Sequence, residues 1–234
     1  MRVVQLIYIY NRRSLAGFST YQHGTTAKGE GDLREAKIHV VTDTTLVLKQ
    51  IIKTNKKGYL TTRKDPFFSI CRTIVGQQIS TKAADSIWFK FETRCKKKIK
   101  PSVVINLSPR DLKRTGLSRQ KISYLKNIAK SFKNNSFNVS KLKYMDDETA
   151  INYITQLKGL GVWSAEMFLM FNLNRPDIFP TKDIGLLRAI SKNYNTSYPP
   201  STKFLNKLSN LHSGFRTVFT WYMWRSIDPV DVEY

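Results

Sequence analysis

The sequence predicts an all-α protein. Apolar residues recur every three or four positions along most of its 234 residues, the spacing that places side chains on one face of a helix. Proline and capping residues stand where several of these runs begin, as at Asp65-Pro66. Alternating apolar and polar patterns, which are typical of strands, are sparse. A chain of this length can bury a sizeable core, so we expect helices packed together.

The chain divides into an extension, residues 1–31, and one domain, residues 32–234. The extension opens with a short apolar run and continues with hydroxyl-rich sequence that has no acid before Glu30. That composition also fits a targeting segment, but we favour a loosely ordered extension. The domain begins with a predicted helix over 32–55.

Two helices joined by a polar elbow are predicted next. Apolar residues recur at helical spacing over 67–75, polar residues interrupt the pattern, and a second apolar run steps by four over 79–91. We call residues 76–80 the elbow. The same reasoning predicts further helices over 109–116, 119–133, from a cap at Asp146 or Asp147 to about 157, 163–171, 183–193, 201–211 and 214–225.

Charge is the most unusual bulk property of the chain. It carries 39 Lys and Arg against 17 Asp and Glu, a net charge of +22, which suits a polyanionic partner better than solubility alone. Residues 94–143 hold 15 of the basic residues and one acid, Asp111, interleaved with apolar residues. We therefore expect a folded basic face that follows phosphates. We expect no membrane association, because the chain has no lipidation signal, long amphipathic anchor or 18-residue apolar run.

Cys71 and Cys95 are the only cysteines. Two are too few for a disulfide scaffold, a four-thiolate zinc site or an iron–sulfur cluster. We expect free thiols in a reducing compartment and no metal site.

The stretch 157–165, Leu-Lys-Gly-Leu-Gly-Val-Trp-Ser-Ala, is typical of a glycine hairpin between two helices. Gly159 and Gly161 allow positive φ and expose backbone amides, and the helix that follows adds the positive end of its dipole. Such a hairpin, with Leu160 between the glycines, binds a DNA phosphate without reading the sequence. On spacing alone, an ordinary connection between two helices, with glycine as the C-cap, explains these residues equally well.

A lone acid, Asp183, follows a proline-bearing loop 20 residues after Trp163. The plain interpretation is a helix cap, because aspartate is a preferred N-cap. The catalytic interpretation is that a fixed carboxylate stabilises the oxocarbenium-like sugar formed when an N-glycosidic bond breaks, and orients water. One carboxylate suffices where the leaving base is already cationic, because that bond is weak.

Tryptophans offer faces on which an extruded base can stack. Trp163 leads the helix after the hairpin, and Trp221 and Trp224 lie in the last helix. An electron-rich ring favours a cationic base. Core packing is the better interpretation for Trp221 and for Trp88.

The polar side chains of the elbow have two interpretations. A side chain there either inserts into the gap left by a flipped base or only stabilises the turn between the helices. The residues concerned are Gln77, Gln78 and Ser80.

These motifs resemble the helix-hairpin-helix-GPD superfamily of DNA glycosylases, and within it the alkylpurine branch, 3-methyladenine DNA glycosylase II. The likeness rests on the elbow, the hairpin and the loop that ends in Asp183, in that order, and covers roughly residues 65–225. It implies a two-lobed helical fold with DNA and the base pocket in the cleft. It implies Asp183 as the catalytic aspartate, and Trp163 and Trp224 as aromatic walls of the base pocket.

The resemblance also implies which residues touch DNA. Backbone carbonyls of such a hairpin often hold a monovalent cation, and no other cofactor is required. The resemblance does not decide whether Gln78 or Ser80 is the wedge residue, which fills the gap left by a flipped base. The implied DNA-binding residues are Gly159, Leu160 and Gly161 in the hairpin and Gln77, Gln78 and Ser80 in the elbow.

Three departures from the family pattern narrow the function. Members that also cut the strand carry a lysine just after the hairpin, where this chain has Trp163, so we expect no Schiff-base lyase. The cysteine count excludes the members with a four-cysteine iron–sulfur cluster. The N-terminal sheet domain of some alkylpurine members is expected to be absent or much reduced, since only 64 residues precede Asp65.

The sequence therefore predicts a monofunctional DNA glycosylase of base excision repair that removes alkylated purines, such as 3-methyladenine and 7-methylguanine, from double-stranded DNA. We expect a monomer. A non-catalytic helix-hairpin-helix DNA-binding protein and a glycosylase for deaminated or oxidised bases are the alternatives. The expected compartment is the cytoplasm with the nucleoid for a bacterial source, and the nucleus or mitochondrion for a eukaryotic one.

Overall fold

A computed structural model describes residues 46–54 and 65–227. Within these ranges the chain forms helices and no strand, which confirms the all-α prediction. The predicted extension, residues 1–31, and the first part of the predicted helix 32–55 lie outside the described residues. The helices are α1 (Leu46–Thr54), α2 (Pro66–Gly76), α3 (Thr81–Arg94), α4 (Pro101–Asn106), α5 (Pro109–Lys113), α6 (Arg119–Lys133), a 3-10 helix (Val139–Tyr144), α7 (Asp147–Thr155), α8 (Val162–Phe171), α9 (Ile184–Asn193), α10 (Thr202–Leu211) and α11 (Arg216–Ile227).

Side-chain caps explain where most of these helices begin. Asp65, Ser80 and Ser118 each accept a hydrogen bond from the backbone amide three residues further on, at the start of α2, α3 and α6. Asp146 and Ser201 do the same for α7 and α10. Each cap satisfies an amide that has no partner within its helix and contributes about 1 kcal/mol. The predicted starts from α5 onward consequently lie within two residues of the observed ones.

Two elements were not predicted, and one was predicted too long. The pattern missed α4 and the 3-10 helix, because six residues are too few to show a periodicity. The helix predicted over 109–116 ends at Lys113, and a turn follows it. Gly116 closes this turn with φ +98°, and a Cβ there would lie only 3.1 Å from Ile87 Cγ1.

The helices pack as two groups that α8 connects. Helices α2 to α6 form one group, in which α2 contacts α3 and α6, and α6 contacts α4 and α5. In the other group α11 contacts α1 and α9, and α7 packs on α8, which also contacts α2. Most residues of α8 and of α11 are buried, as expected for central helices. None of the described helices has both the length and the apolar character needed to cross a membrane.

Two lysines of the predicted basic face are engaged inside the fold. Lys121 Nζ donates to the carbonyls of Val75 and Gln77, both at 2.8 Å, at the C-terminal end of α2. Lys126 Nζ donates to two carbonyls at the end of α4. Burial lowers the pKa of both ammonium groups. These two lysines of the basic segment are thus engaged with carbonyls of the protein itself.

Both cysteines are buried free thiols. Desolvation raises the pKa of each thiol, well above its usual value for Cys71 and to about 11 for Cys95. A thiol that does not ionise is a poor nucleophile, so both behave as core residues.

Candidate active site

Asp183 is a buried carboxylate held by three N–H donors from three helices. It is 6% exposed and caps α9, where its Oδ1 accepts the backbone amide of Leu186 at 2.5 Å. Oδ1 also accepts the indole Nε1–H of Trp224 from α11, at 2.7 Å. Oδ2 accepts the indole Nε1–H of Trp163 from α8, at 2.7 Å. A carboxylate offers about four acceptor positions, so these donors fill both positions on Oδ1 and one on Oδ2.

The loop before Asp183 is fixed to the start of α11. The Thr217 side chain accepts from the backbone amide of Ile178 at 3.0 Å and donates to the carbonyl of Arg175 at 2.6 Å. Asp177 accepts from the Arg216 guanidinium at 2.8 Å. The Asp183 amide then donates to the Pro180 carbonyl at 2.9 Å and closes the turn. These bonds place the carboxylate at one position relative to α11, which also carries Trp224.

The Arg175 side chain anchors the same loop on the other side. Its guanidinium forms an ion pair with Asp147 at 2.5 Å and donates to the carbonyls of Leu142 and Met145 at 2.6 and 2.7 Å. The loop is thereby tied to the start of α7, the first helix of the hairpin pair. The hairpin and the carboxylate are connected through this single arginine as well as through α8.

Trp163 and Trp224 both reach Asp183, but through their ring edges. Trp163 is half-buried, whereas Trp224 is 2% exposed and stacks on Phe171 with ring centroids 6.1 Å apart. The structure thus gives both indoles a role as donors to the carboxylate, which the sequence did not suggest. That either ring stacks on a base stays a prediction.

A second acid, Glu166, lies near Asp183 and was missed by the sequence reasoning. It is half-buried, one helical turn after Trp163 on α8. Desolvation, and next the negative charge of Asp183, raise the pKa of Glu166 to about 7, while Lys182 opposes the shift. No local signal marks it, because its position relative to Asp183 depends on how α8 packs.

A cavity of about 320 Å³ lies on the other side of Glu166. Its lining includes Glu166, Phe179 and Thr181, but neither Asp183 nor either of the two tryptophans that bind it. This cavity is therefore not the space in which a base would meet the carboxylate.

The hairpin has one glycine with positive φ, not two. Gly159 has φ +105°, and a Cβ there would lie 2.4 Å from the ring of Tyr124 on α6. Gly161 has φ −96° and ψ −179°, which is extended backbone, so the positive φ that the two glycines allow is used at Gly159 alone. A Cβ on Gly161 would meet nothing within 4 Å. Among the described residues, no neighbouring atom therefore requires glycine at position 161.

The first turn of α8 has backbone amides available for an external acceptor. Gly161 is its N-cap and supplies no side-chain hydrogen bond, in contrast to the caps of α6 and α9. Val162, the first helical residue, is 50% exposed. Unpaired amides at the positive end of a helix form an anion site, so this geometry supports the predicted phosphate contact. The Leu160 side chain is only 6% exposed and packs in the core. If Leu160 contacts DNA as predicted, the contact is made by its backbone.

The elbow and the hairpin are bonded to each other. Gln77 Nε2 donates to the Gly159 carbonyl at 2.8 Å, across 82 residues of chain. The predicted contact of Gln77 with DNA is untested, and the structure shows its amide engaged within the protein. Ser80 Oγ accepts the Ala83 amide at 3.3 Å as the cap of α3. Gln78 is exposed and has φ +57°.

Comparison with known proteins gives consistent matches. The family model described as "HhH-GPD superfamily base excision DNA repair protein" matches residues 71–212. DNA-3-methyladenine glycosylase 1 of Schizosaccharomyces pombe is 27% identical over 172 residues, which cover 72% of this chain and 75% of that protein.

Two solved structures are also similar. A DNA-3-methyladenine glycosidase of Bacillus halodurans has a TM-score of 0.73 and 29% identity, covering 85% of this chain and 92% of that one. The 3-methyladenine DNA glycosylase of Schizosaccharomyces pombe, solved in complex with abasic DNA, has a TM-score of 0.69 and 26% identity, covering 86% and 100%.

The two hairpin glycines should respond differently to alanine. Gly159→Ala combines a left-handed φ with a clash against Tyr124, so we expect it to lower the free energy of unfolding by about 2 kcal/mol or more. Gly161→Ala has space and an ordinary backbone, so we expect its stability to change by less than about 1 kcal/mol. The added methyl group should nevertheless weaken duplex DNA binding. Urea unfolding and DNA titration measure both effects. Equal losses of stability, or unchanged DNA affinity in Gly161→Ala, would contradict this account of the hairpin.

Proposed function

We propose that this chain, which belongs to the HhH-GPD superfamily of base excision DNA repair proteins, hydrolyses the N-glycosidic bond of alkylated purines in duplex DNA. The observation that carries the proposal is the carboxylate of Asp183. It is buried, fixed by the indole N–H groups of Trp163 and Trp224, and placed at the start of a helix beside the hairpin. The names of the relatives, DNA-3-methyladenine glycosylases, support the substrate class.

Asp183 acts by electrostatic stabilisation. As the glycosidic bond lengthens, positive charge develops on the sugar, and a carboxylate that is already oriented stabilises this charge without reorganising. Three of its about four acceptor positions are filled by protein donors, two on Oδ1 and one on Oδ2. The remaining acceptor position on Oδ2 is the one left for the sugar or for a water molecule. Oδ2 is therefore the oxygen that faces the reaction.

An alkylated purine suits a site with this chemistry. Methylation at N3 or N7 gives the base a positive charge, so it leaves as a neutral molecule and needs no acid to protonate it. The indole of Trp163 suits a cationic base, which an electron-rich ring attracts. A damaged base also leaves the stack more easily than a normal one. Selectivity follows from the weak bond and from easy flipping together.

DNA binding is assigned to the hairpin, the elbow and the remaining basic surface. The amides at the start of α8 hold a phosphate, and the exposed lysines and arginines add salt-dependent affinity. Gln78 is the wedge we favour, because its side chain is exposed whereas the Ser80 hydroxyl is engaged as a helix cap. The protein acts as a monomer in this proposal.

No cofactor is required by this chemistry. The described residues contain no group of three or more His, Cys, Asp and Glu side chains placed to hold a metal ion. A monovalent cation at the hairpin would share carbonyls that already accept hydrogen bonds, since Leu157 accepts from the Leu160 amide and Gly159 accepts from Gln77. A carbonyl oxygen has two lone pairs, so sharing is feasible. The cation would then stiffen the hairpin and take no part in bond cleavage.

Asp183→Asn should abolish most base release. We expect the single-turnover rate on methylated duplex DNA to fall by about 100-fold or more, because the charge that stabilises the transition state is gone. The assay measures free 3-methyladenine and 7-methylguanine, with deaminated and oxidised bases as further substrates.

Asp65→Asn is the matched control for this variant. Asn is as good an N-cap as Asp, and Asp65 caps α2 away from the site, so its release rate should equal that of wild type. Salt-dependent binding of duplex DNA without release of any base would instead identify a non-catalytic DNA-binding protein. Full activity in Asp183→Asn would remove Asp183 from the mechanism.

The protein should have no lyase activity. Strand cleavage of this kind passes through a Schiff base between a lysine and the sugar, and Trp163 stands where the strand-cutting members carry that lysine. Incubation with abasic duplex DNA and borohydride should yield no covalent adduct, while a lyase of the same superfamily serves as positive control. A trapped adduct that disappears in Lys182→Gln would show that the lysine beside Asp183 is a nucleophile and that the monofunctional proposal is wrong.

Gln78→Ala should impair flipping and leave chemistry intact. We expect slower release from a lesion paired in a duplex, and wild-type rates from a lesion opposite an abasic site, where little pairing has to be broken. Ser80→Ala is the comparison, because it costs about 1 kcal/mol of cap stability without removing a wedge. Equal defects of Gln78→Ala on both DNAs would assign this residue a different role.

A further inference from the structure

Gly185 stands where the active site leaves no room for a side chain. It is the second residue of α9, two positions after Asp183. A Cβ at this position would lie 3.2 Å from Asp183 Oδ1 and 3.2 Å from both Cδ1 and Nε1 of Trp224. Ordinary van der Waals contacts of a Cβ begin at 3.4 Å. An alanine here would therefore press on both partners of the Trp224–Asp183 hydrogen bond.

The local backbone gives no reason for glycine at this position. Gly185 lies within a helix and is not among the glycines with positive φ. Glycine in a helix costs about 1 kcal/mol relative to alanine, so local propensity alone favours alanine. The steric contact with Asp183 and Trp224 is the feature that requires a residue without a Cβ.

Both partners are buried and held by other contacts. The Trp224 ring is 2% exposed and stacks on Phe171, and Asp183 is fixed on its other oxygen by Trp163. A shift of a few tenths of an ångström must therefore come from the hydrogen bond itself. The indole N–H moves off Oδ1, or the carboxylate rotates and carries Oδ2 with it.

We propose that Gly185 is a positioning residue for the glycosylase reaction: the absence of its side chain lets the Trp224 indole reach Asp183 and thereby sets the direction of Oδ2. Trp224 then acts on the reaction through its N–H group, whatever its ring contacts. The consequence for activity rests on the proposed function, whereas the contact geometry does not.

The kinetic test is a double-mutant cycle between Gly185→Ala and Trp224→Phe, which keeps a ring but removes the donor. Gly185→Ala should slow single-turnover release about tenfold or more, the effect of losing one hydrogen bond to a charged group. Duplex affinity should stay at the wild-type value. In the Trp224→Phe background the alanine should cause a clearly smaller loss, because the bond that it disturbs is already absent.

A spectroscopic test follows the same contact without needing activity. The chain has four tryptophans, so the indole N–H region of a ¹⁵N-correlated NMR spectrum contains few signals, and Trp→Phe variants assign them. In Gly185→Ala the indole proton of Trp224 should shift upfield as its bond to the carboxylate lengthens, in the direction seen with Asp183→Asn. An unchanged Trp224 signal overturns the proposal.

The two tests separate this inference from the proposed function. If wild type releases no base, the proposed function fails, and the NMR comparison still decides the role of Gly185. If wild type is active and Gly185→Ala is equally active, the inference fails and the function stands. Losses that multiply in the double mutant also overturn the inference, because they show that Gly185 acts independently of Trp224.

Discussion

The buried carboxylate of Asp183 constrains the rest of the structure. Removing a carboxylate from water costs several kcal/mol unless donors replace the lost hydration. Here the donors come from the Trp163 indole on α8, the Leu186 amide on α9 and the Trp224 indole on α11. Three helices must therefore meet at one point with N–H groups directed inward. The burial of α8 and α11 and the bonds that fix the loop before Asp183 are what make that meeting point stable.

A second constraint comes from α6, which supports the hairpin and the elbow. Tyr124 lies under Gly159 of the hairpin, and one turn earlier Lys121 donates to the carbonyls at the end of α2. Gln77 then bonds the elbow to the Gly159 carbonyl. The hairpin and the elbow consequently keep a fixed spacing relative to each other. In the proposed complex, α8 holds a phosphate while a side chain of the elbow enters the duplex. These two contacts must lie a fixed distance apart along the DNA, and the bonds between hairpin, elbow and α6 fix that distance.

Local signals predicted most of the fold, and long-range contacts explain what they missed. The caps at Ser118 and Ser201 and the polar elbow carry their information within a few residues, so the helix starts agreed with the structure. Asp183 was found because it combines a cap position with the loop and hairpin spacing. The donor role of Trp224 and the nearness of Glu166 depend on how α8, α9 and α11 pack, which no spacing within one helix reveals. The sequence did not show which of the two hairpin glycines adopts positive φ, because a glycine suits a left-handed turn and an extended backbone equally.

The charge at the site has the opposite sign to the charge of the whole molecule. The chain carries a net charge of +22, which attracts DNA, whereas Asp183 and Glu166 place two acids close together at the reaction centre. Desolvation and the charge of Asp183 raise the pKa of Glu166 to about 7, so the fold favours its protonated form. Its contribution to stability is therefore full below its unfolded pKa and is lost as the pH rises through about 7. At neutral pH the ionised pair is thus partly repulsive, and a cation relieves that repulsion. Lys182 supplies part of this compensation, and in the proposed reaction a sugar that becomes positive, or a base that arrives positive, adds to it.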